Sequence, residues 1–170
     1  QKKVCCGLTW ISTGQLTGAK KRLNELLEIF TPYVDAGLHI VGIEPSCIAV
    51  LRSDLLDLLP DDPRALKIAT HVKTLAELLL DSKNDPNIHW EVPDLSNIEV
   101  VVQPHCHHHA VMGFEADREI LKTSGVTFTE LSGCCGLAGN FGMERGHYEV
   151  SQAVAELALL PAITNPSMKY

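Results

Sequence analysis

The sequence predicts an α/β fold that is built as two similar lobes, each with a short parallel sheet. Three observations lead to this prediction. Apolar residues at helical spacing alternate along the chain with short β-branched runs. A length of 170 residues suits one domain or two small lobes that share a core. The string Cys-Cys-Gly-Leu occurs twice, at 5–8 and at 134–137, and indicates an internal repeat.

The first half-repeat, about residues 1–92, is predicted to hold a strand between helices. Apolar spacing predicts a helix over 15–31, with Gly37 as its C-terminal signal, and a buried strand over 38–43. A helix is expected from the turn at 44–47 to about residue 59, before Pro60, and a longer helix from 62 to about 80. Residues 81–97 are polar and predict a loop.

The second half-repeat, about residues 93–170, follows the same order. The runs 98–103 and 126–131 predict strands, and a helix is expected between them over 117–124, closed by Gly125. A last helix is predicted from about residue 143 to 160, where Pro161 would stop it. The cysteines at 47, 106 and 134–135 then lie just beyond the carboxyl ends of strands.

Charge and hydropathy exclude two classes of protein. The chain has 14 Lys and Arg against 21 Asp and Glu, a net charge of −7, which is unlike the basic surface of a nucleic-acid-binding protein. It has no run of about 20 apolar residues, so no transmembrane segment is expected.

No signal peptide opens the chain, and we expect a cytoplasmic protein, with peripheral attachment at the inner membrane surface as an option. The first residue is not Met, which suggests a fragment of a longer protein.

The six cysteines are the strongest functional signal. They are too few for a disulfide scaffold, and adjacent cysteines can hardly bond to each other without straining the backbone. Clustered cysteines in a reducing compartment favour metal binding or redox chemistry. Because ligands of open α/β sheets bind beyond the carboxyl ends of strands, we expect the cysteines to converge on one site. The candidates for cofactor binding are Cys5, Cys6, Cys47, Cys106, Cys134 and Cys135.

Three other segments are candidates for the same site. In the run 105–109, His107 follows a cysteine directly and is the preferred ligand, whereas His108 is expected to be solvated or to cap the helix. Glu44 is predicted as a ligand or as support for one. The glycine-rich segment 136–142 lacks a nucleotide-binding pattern and is expected to let backbone N–H groups approach sulfur.

Four motifs together resemble a known family. These are Cys-Cys-Gly at 5–7, Glu-Pro-Ser-Cys at 44–47, Pro-His-Cys-His at 104–107 and Gly-Cys-Cys-Gly at 133–136. They resemble the cysteine-rich CCG domain that occurs in heterodisulfide reductase, in the iron–sulfur subunits of glycolate oxidase and anaerobic glycerol-3-phosphate dehydrogenase, and in lactate-utilisation proteins. The resemblance is strongest to the C-terminal part of FAD-linked oxidases of the D-lactate and 2-hydroxyacid dehydrogenase type, and it covers nearly the whole chain.

The resemblance implies an iron–sulfur module, with three departures. In the family each repeat has a Cys, then Cys-Cys-Gly, then Cys-x-x-Cys. Here Glu44 replaces the first cysteine of one Cys-x-x-Cys, none follows Cys135, and the leading cysteine of the first repeat is absent. Since a cluster normally needs about four thiolates, six cysteines allow one [4Fe–4S] cluster and not two. The candidate metal-binding residues are Cys6, Cys47, Cys106, Cys134, Cys135, His107 and Glu44.

The implied function is electron transfer from a 2-hydroxyacid oxidoreductase. The partners implied are a flavin domain, which would hold the FAD, a ferredoxin-like domain of the same parent protein, and an electron acceptor such as a quinone. Two alternatives remain open. Zinc suits a mixed set of Cys, His and Glu, and would give a structural or assembly module without redox activity. A thiol–disulfide oxidoreductase is disfavoured because the chain has no Cys-x-x-Cys.

Overall fold

The computed structural model describes residues 3–83, 85 and 87–164, and it confirms an α/β fold with two short parallel sheets. The chain divides into two compact units. The first combines Gln1–His89 with His107–Ala116, and the second combines Trp90–Cys106 with Asp117–Tyr170. Each sheet has two strands that neighbour each other in chain order and are joined through helical segments.

The first unit contains six helices, two strands and a π-helical turn among its described residues. Its core is a set of buried aliphatic side chains from α2 (Leu16–Asp35), α3 (Pro45–Arg52), α4 (Asp54–Leu58) and α5 (Pro63–His71), with Leu23, Leu27 and Leu55 fully enclosed. The helical spacing of residues 15–31 predicted α2 correctly, although the helix runs on through Pro32 to Asp35. The elements are α1 Leu8–Ser12, α2 Leu16–Asp35, β1 Ile40–Gly42, α3 Pro45–Arg52, α4 Asp54–Leu58, α5 Pro63–His71, β2 Val72–Thr74, α6 Leu75–Ser82 and the π-helix His108–Met112.

The strand β2 corrects the prediction of one long helix from 62 to about 80. Val72 and Thr74 are buried and pair in parallel with Ile40 and Gly42 of β1. Two β-branched residues in three favour an extended backbone once a neighbouring strand is available to them. Thr74 then starts α6 with a capping box, in which its hydroxyl accepts from the Glu77 N–H and the Glu77 carboxylate accepts from the Thr74 N–H. A tertiary pairing therefore divides a segment whose local pattern is helical.

The second unit contains the other parallel sheet. Glu99 to Val102 pair in register with Thr127 to Glu130, as the two β-branched runs predicted. Arg118 of α7 (Glu115–Thr123) holds Glu130 of β4 (Thr127–Glu130) in a two-pronged ion pair, with both N–O distances 2.8 Å. The described elements are β3 Glu99–Val102, α7 Glu115–Thr123, whose first two residues belong to the first unit, β4 Thr127–Glu130, a 3-10 turn Phe141–Met143, α8 Tyr148–Ala155 and α9 Leu159–Ile163.

The last predicted helix is wrong in its length. Instead of one helix over 143–160, the chain forms the 3-10 turn, α8 and α9. Gly146 has a φ of 91°, which a continuous right-handed helix cannot include. Pro161 does not stop a helix but lies in the first turn of α9, where its missing N–H has no helical partner to lose. The helix predicted to reach residue 59 is likewise divided at Ser53 into α3 and α4.

Within the described part of the chain, no helix is long and apolar enough to cross a membrane.

Candidate functional site

Cys6 and Cys47 are brought together in the first unit. Their sulfur atoms lie 3.0 Å apart although the residues are 41 positions apart in sequence. Cys6 is 7% exposed and belongs to the core, and Cys47 is half-buried against that core. Gly7, with a φ of 84°, turns the chain into α1 directly after Cys6, and Cys47 lies in the first turn of α3, five residues after β1. Both were candidate ligands from sequence, and their contact depends on tertiary packing.

Glu44 caps the helix that carries Cys47. Its carboxylate oxygens accept hydrogen bonds from the Ser46 N–H at 3.1 Å and from the Cys47 N–H at 2.6 Å. Partial desolvation acts to raise the pKa of Glu44, but these hydrogen bonds outweigh it and lower the pKa. The carboxylate is therefore ionised at neutral pH and held within one helical turn of the Cys47 thiol. The sequence indicates this cap, since an acidic residue before Pro45 is a helix-start pattern.

The surroundings of Cys47 disfavour its thiolate in the absence of a cation. Burial raises the pKa of the Cys47 thiol, and the contact with Cys6 and the neighbouring Glu44 carboxylate raise it further. The thiol is thus protonated at neutral pH. A metal ion bound here would supply the positive charge that the site lacks and would release this proton.

Replacing Glu44 with alanine separates the capping role from a ligand role. Loss of the cap is expected to lower the free energy of unfolding by about 1 kcal/mol, because two N–H groups of the first turn lose their acceptor. Urea unfolding of the metal-free chain measures this cost. Asp62→Ala is a matched control, since Asp62 caps α5 in the same way through the Arg64 N–H. A loss of metal affinity in Glu44→Ala but not in Asp62→Ala would support Glu44 as a ligand.

The second unit positions Cys134 and Cys135 on a loop that follows β4. The Gly136 N–H points at the Cys134 sulfur at 3.4 Å, so one backbone donor does face sulfur in this segment. The Gly136 carbonyl in turn accepts from the Ser151 hydroxyl of α8 at 2.7 Å. Both cysteines are half-buried. The loop is therefore anchored to α8 through Ser151, a contact that the sequence pattern does not reveal.

Gly136 and Gly142 are required for packing against α8. A Cβ atom at Gly136 would lie 2.2 Å from the Ser151 carbonyl oxygen, and one at Gly142 would lie 2.3 Å from the Ser151 hydroxyl. The sequence interpretation was that these glycines let the backbone approach a bound group. The structure gives another reason for their small size, namely the close approach of α8.

Cys106 lies at the carboxyl end of the neighbouring strand. It is exposed and begins a helical turn four residues after β3. Gln103 links this segment to the other cysteine loop, because its side-chain amide donates to the carbonyls of Pro104 and Gly133, both at 3.3 Å. The sequence analysis did not identify Gln103. Its position directly after a strand is the one sequence feature that indicates a role at the site.

The histidine run corrects one prediction. His108 is buried, 9% exposed, and packs edge-on against Phe114 with ring centroids 5.3 Å apart, so it is not solvated. It begins the π-helix, which packs against α3, the helix of Cys47. His107, the preferred ligand, is exposed. The sequence suggested an ordinary helix here, and the wider turn rotates each side chain away from the expected face.

The described residues include no group of three or more His, Cys, Asp or Glu side chains arranged to hold one metal ion. The structure brings Cys6 and Cys47 together in one unit and holds Cys134 beside Cys135 in the other, while Cys5 is exposed. A single site that combines cysteines of both units stays a prediction. The same is true of the roles assigned to His107 and Glu44.

Comparison with known proteins finds distant relatives that cover most of this chain. It is 28% identical to a subunit of the anaerobic glycerol-3-phosphate dehydrogenase of Escherichia coli K12 over 156 residues, 90% of this chain and 38% of that protein. It is 26% identical to lactate utilization protein A 1 of Bacillus cereus AH820, over 85% of this chain and 60% of that protein. The match to lactate utilization protein A of Oceanobacillus iheyensis is also 26%, over 84% and 58%.

The chain thus spans between about two fifths and three fifths of the length of these relatives. No family model matches the sequence, and no solved structure matches it.

Proposed function

We propose that this chain is the iron–sulfur electron-transfer module of an FAD-linked oxidoreductase that acts on a 2-hydroxy acid such as D-lactate or glycolate. The relatives, by name a dehydrogenase subunit and lactate utilization proteins, support a redox-related module of dehydrogenases. The observation that carries the proposal is the contact between Cys6 and Cys47 at the carboxyl end of β1, because it presents two sulfur donors to one point. Soft thiolate ligands favour iron–sulfur clusters and zinc over hard cations.

The donor chemistry of the described site fits a sulfur-ligated group. Cys6 and Cys47 supply two of the about four thiolates that a cluster requires. The Gly136 N–H at the Cys134 sulfur is the kind of hydrogen bond that stabilises thiolate charge in such sites. Under this proposal the two remaining thiolates come from among Cys106, Cys134 and Cys135. The bound cluster would pass electrons singly from a flavin domain toward a quinone or another carrier.

The chain's own residues set the conditions for binding. The buried position of Cys6 keeps water away from one ligand, and the capped helix α3 fixes the direction of the other. The protonated Cys47 must lose its proton when the cluster binds, so loading is expected to be favoured by higher pH. Glu44 beside Cys47 also offers an oxygen donor, which is acceptable to zinc, and a zinc-binding structural or assembly module is the second candidate.

Anaerobic reconstitution tests the proposal. The chain is incubated with ferrous iron, sulfide and a thiol reductant, desalted, and analysed for iron, acid-labile sulfide and zinc, with visible absorption and electron paramagnetic resonance spectra. We expect about four iron atoms and four sulfides per chain, as one [4Fe–4S] cluster requires. Stoichiometric zinc with no iron, after reconstitution in the presence of both metals, would contradict the proposal and favour the structural module.

Two serine variants make the test specific. Cys6→Ser is expected to lose the cluster, because it removes the sulfur that faces Cys47, whereas the neighbouring and exposed Cys5→Ser is expected to keep most of it. Circular dichroism of both metal-free variants controls for folding. Equal iron and sulfide contents in the two variants would contradict the assignment of Cys6 as a ligand.

A further inference from the structure

The two sulfur atoms of Cys6 and Cys47 are held in contact by elements that are independently fixed. Cys6 is packed in the core beside the start of α1, and Cys47 is anchored by the Glu44-capped turn of α3. The 3.0 Å separation is therefore a property of the tertiary structure, not of neighbouring positions in the chain.

The observed separation lies between two bonded states. A disulfide has an S–S distance of about 2.05 Å. Two sulfurs on one tetrahedral zinc ion, each with a Zn–S bond of about 2.3 Å, are about 3.8 Å apart. From 3.0 Å, the pair needs a movement of about 1 Å to reach either state. The same two side chains can thus hold a metal or bond to each other, but they cannot do both at once.

The two cysteines differ in exposure, and this difference sets their roles in forming a disulfide. Cys47 is half-buried and Cys6 is enclosed, so Cys47 is the more accessible of the two to an oxidant in solution. Cys5 is exposed but adjacent to Cys6, and a bond between neighbouring cysteines would strain the backbone. The geometry therefore selects the Cys6–Cys47 combination within the first unit.

We propose that Cys6 and Cys47 of the metal-free chain form a reversible disulfide when they meet a small-molecule disulfide such as oxidised glutathione. The small thiolate fraction of Cys47 attacks one glutathione sulfur, forms a mixed disulfide and releases the first glutathione, which takes up the proton that Cys47 lost. Cys6 then attacks the Cys47 sulfur and releases the second glutathione. The chain loses two protons and two electrons, and one glutathione disulfide takes up both to become two thiols. This step does not depend on which metal or cluster the chain binds.

Formation of the Cys6–Cys47 disulfide would compete with metal binding. It removes both sulfurs from the set of donors, so an oxidised chain cannot offer them to iron or zinc until a thiol reductant cleaves it. The same reaction would protect the half-buried Cys47 sulfur from further oxidation to sulfinic acid, because a disulfide has no free thiolate.

The test uses the full chain after metal removal with a chelator, incubated with oxidised glutathione and then blocked with iodoacetamide. Tryptic digestion without reductant places Cys6 in the peptide 4–20 and Cys47 in the peptide 23–52. We expect these peptides to be recovered as a cross-linked pair in the wild type and in Cys5→Ser, and the link to disappear after dithiothreitol. In Cys5→Ser the link can only join Cys6 to Cys47 between these two peptides.

Two outcomes would overturn the inference. Recovery of a stable glutathione adduct on Cys47 with Cys6 alkylated would show that the second step does not occur. Loss of the cross-link in Cys5→Ser would show that Cys5 is the partner. Because the chain is metal-free throughout, a failure of cluster reconstitution leaves this result unaffected, and the two proposals fail separately.

Discussion

Replacing Gly136 with alanine is expected to destabilise the second unit by about 2–5 kcal/mol. Gly136 has a φ of 87°, and a residue with a side chain in that left-handed region costs about 1–2 kcal/mol. The added methyl group would also lie 2.2 Å from the carbonyl oxygen of Ser151, a backbone atom inside α8 that cannot move aside cheaply. Overpacking of this kind adds about 1–3 kcal/mol. The two costs have separate causes and therefore add approximately.

Gly139→Ala provides the matched control. Gly139 lies in the same loop with a φ of 71°, but no atom lies within 4 Å of the position that its Cβ would occupy. Its replacement is expected to cost only the conformational part, about 1 kcal/mol. Hydrogen exchange of peptides from α8, followed by mass spectrometry across a urea series, reports the stability of this unit directly. Equal losses in the two variants would contradict the packing role of Gly136.

The effect of Gly136→Ala can also be measured at Cys134. The Gly136 N–H donates to the Cys134 sulfur, and the Gly136 carbonyl accepts from Ser151. If the methyl group pushes the loop from α8, the Cys134 thiol should react faster with iodoacetamide than in Gly139→Ala. An unchanged alkylation rate together with a large loss of stability would place the damage elsewhere in the unit.

The fold class could be predicted from sequence because local pattern and tertiary pairing agree in most of the chain. The β-branched runs at 98–103 and 126–131 became β3 and β4, each within a residue or two of its predicted ends. β2 was missed because three residues between two helical patterns become a strand only when β1 lies beside them. The sequence predicts one helix that stops at Pro161 and not the break between α8 and α9, because proline is unfavourable in a helix interior, although it is compatible with a first helical turn.

The sequence could predict which residues belong to the candidate site better than it could predict their geometry. Repeated cysteine motifs identified Cys6 and Cys47, but no local pattern contains a contact between residues 41 positions apart. The position of Glu44 directly before Pro45 is sufficient to predict a helix cap, although Glu44 was interpreted as a ligand or as support for one. The burial of His108 could not be predicted from the sequence. The π-helix changes which residues face the core, and no residue in the histidine run indicates a π-helix.

Replacing Arg52 with methionine is expected to destabilise the first unit by about 2–3 kcal/mol. The guanidinium group of Arg52 donates to both oxygens of Glu77 and, at 2.7 and 3.1 Å, to the carbonyl of Val72. It therefore ties α3 to the first residue of β2 and to the cap of α6. Methionine fills a similar volume but leaves a charged carboxylate and a carbonyl without this partner, and the cost follows from those unsatisfied acceptors. Urea unfolding measures the loss.

The pH dependence of this unit gives an independent check on the ion pair. Partial burial acts to raise the pKa of Glu77, but the hydrogen bonds from Arg52 and from the Thr74 N–H outweigh it and lower the pKa. The unfolded chain has the ordinary Glu value of about 4.3. A folded pKa below the unfolded one means that the stabilisation is fully present above about pH 4.3 and is lost as the pH falls through the folded value.

Glu77→Gln should therefore flatten the acid side of the stability profile. The amide keeps the shape of the side chain but does not titrate, so the variant is less stable than the wild type at pH 6 and the two curves approach each other as the pH falls below about 4. Asp35→Asn is the control, because its ion pair with Lys67 is about half exposed and is expected to contribute less than about 1 kcal/mol. Parallel curves for the wild type and Glu77→Gln between pH 6 and 3 would contradict the assignment, since the stabilising charge would then lie on another carboxylate.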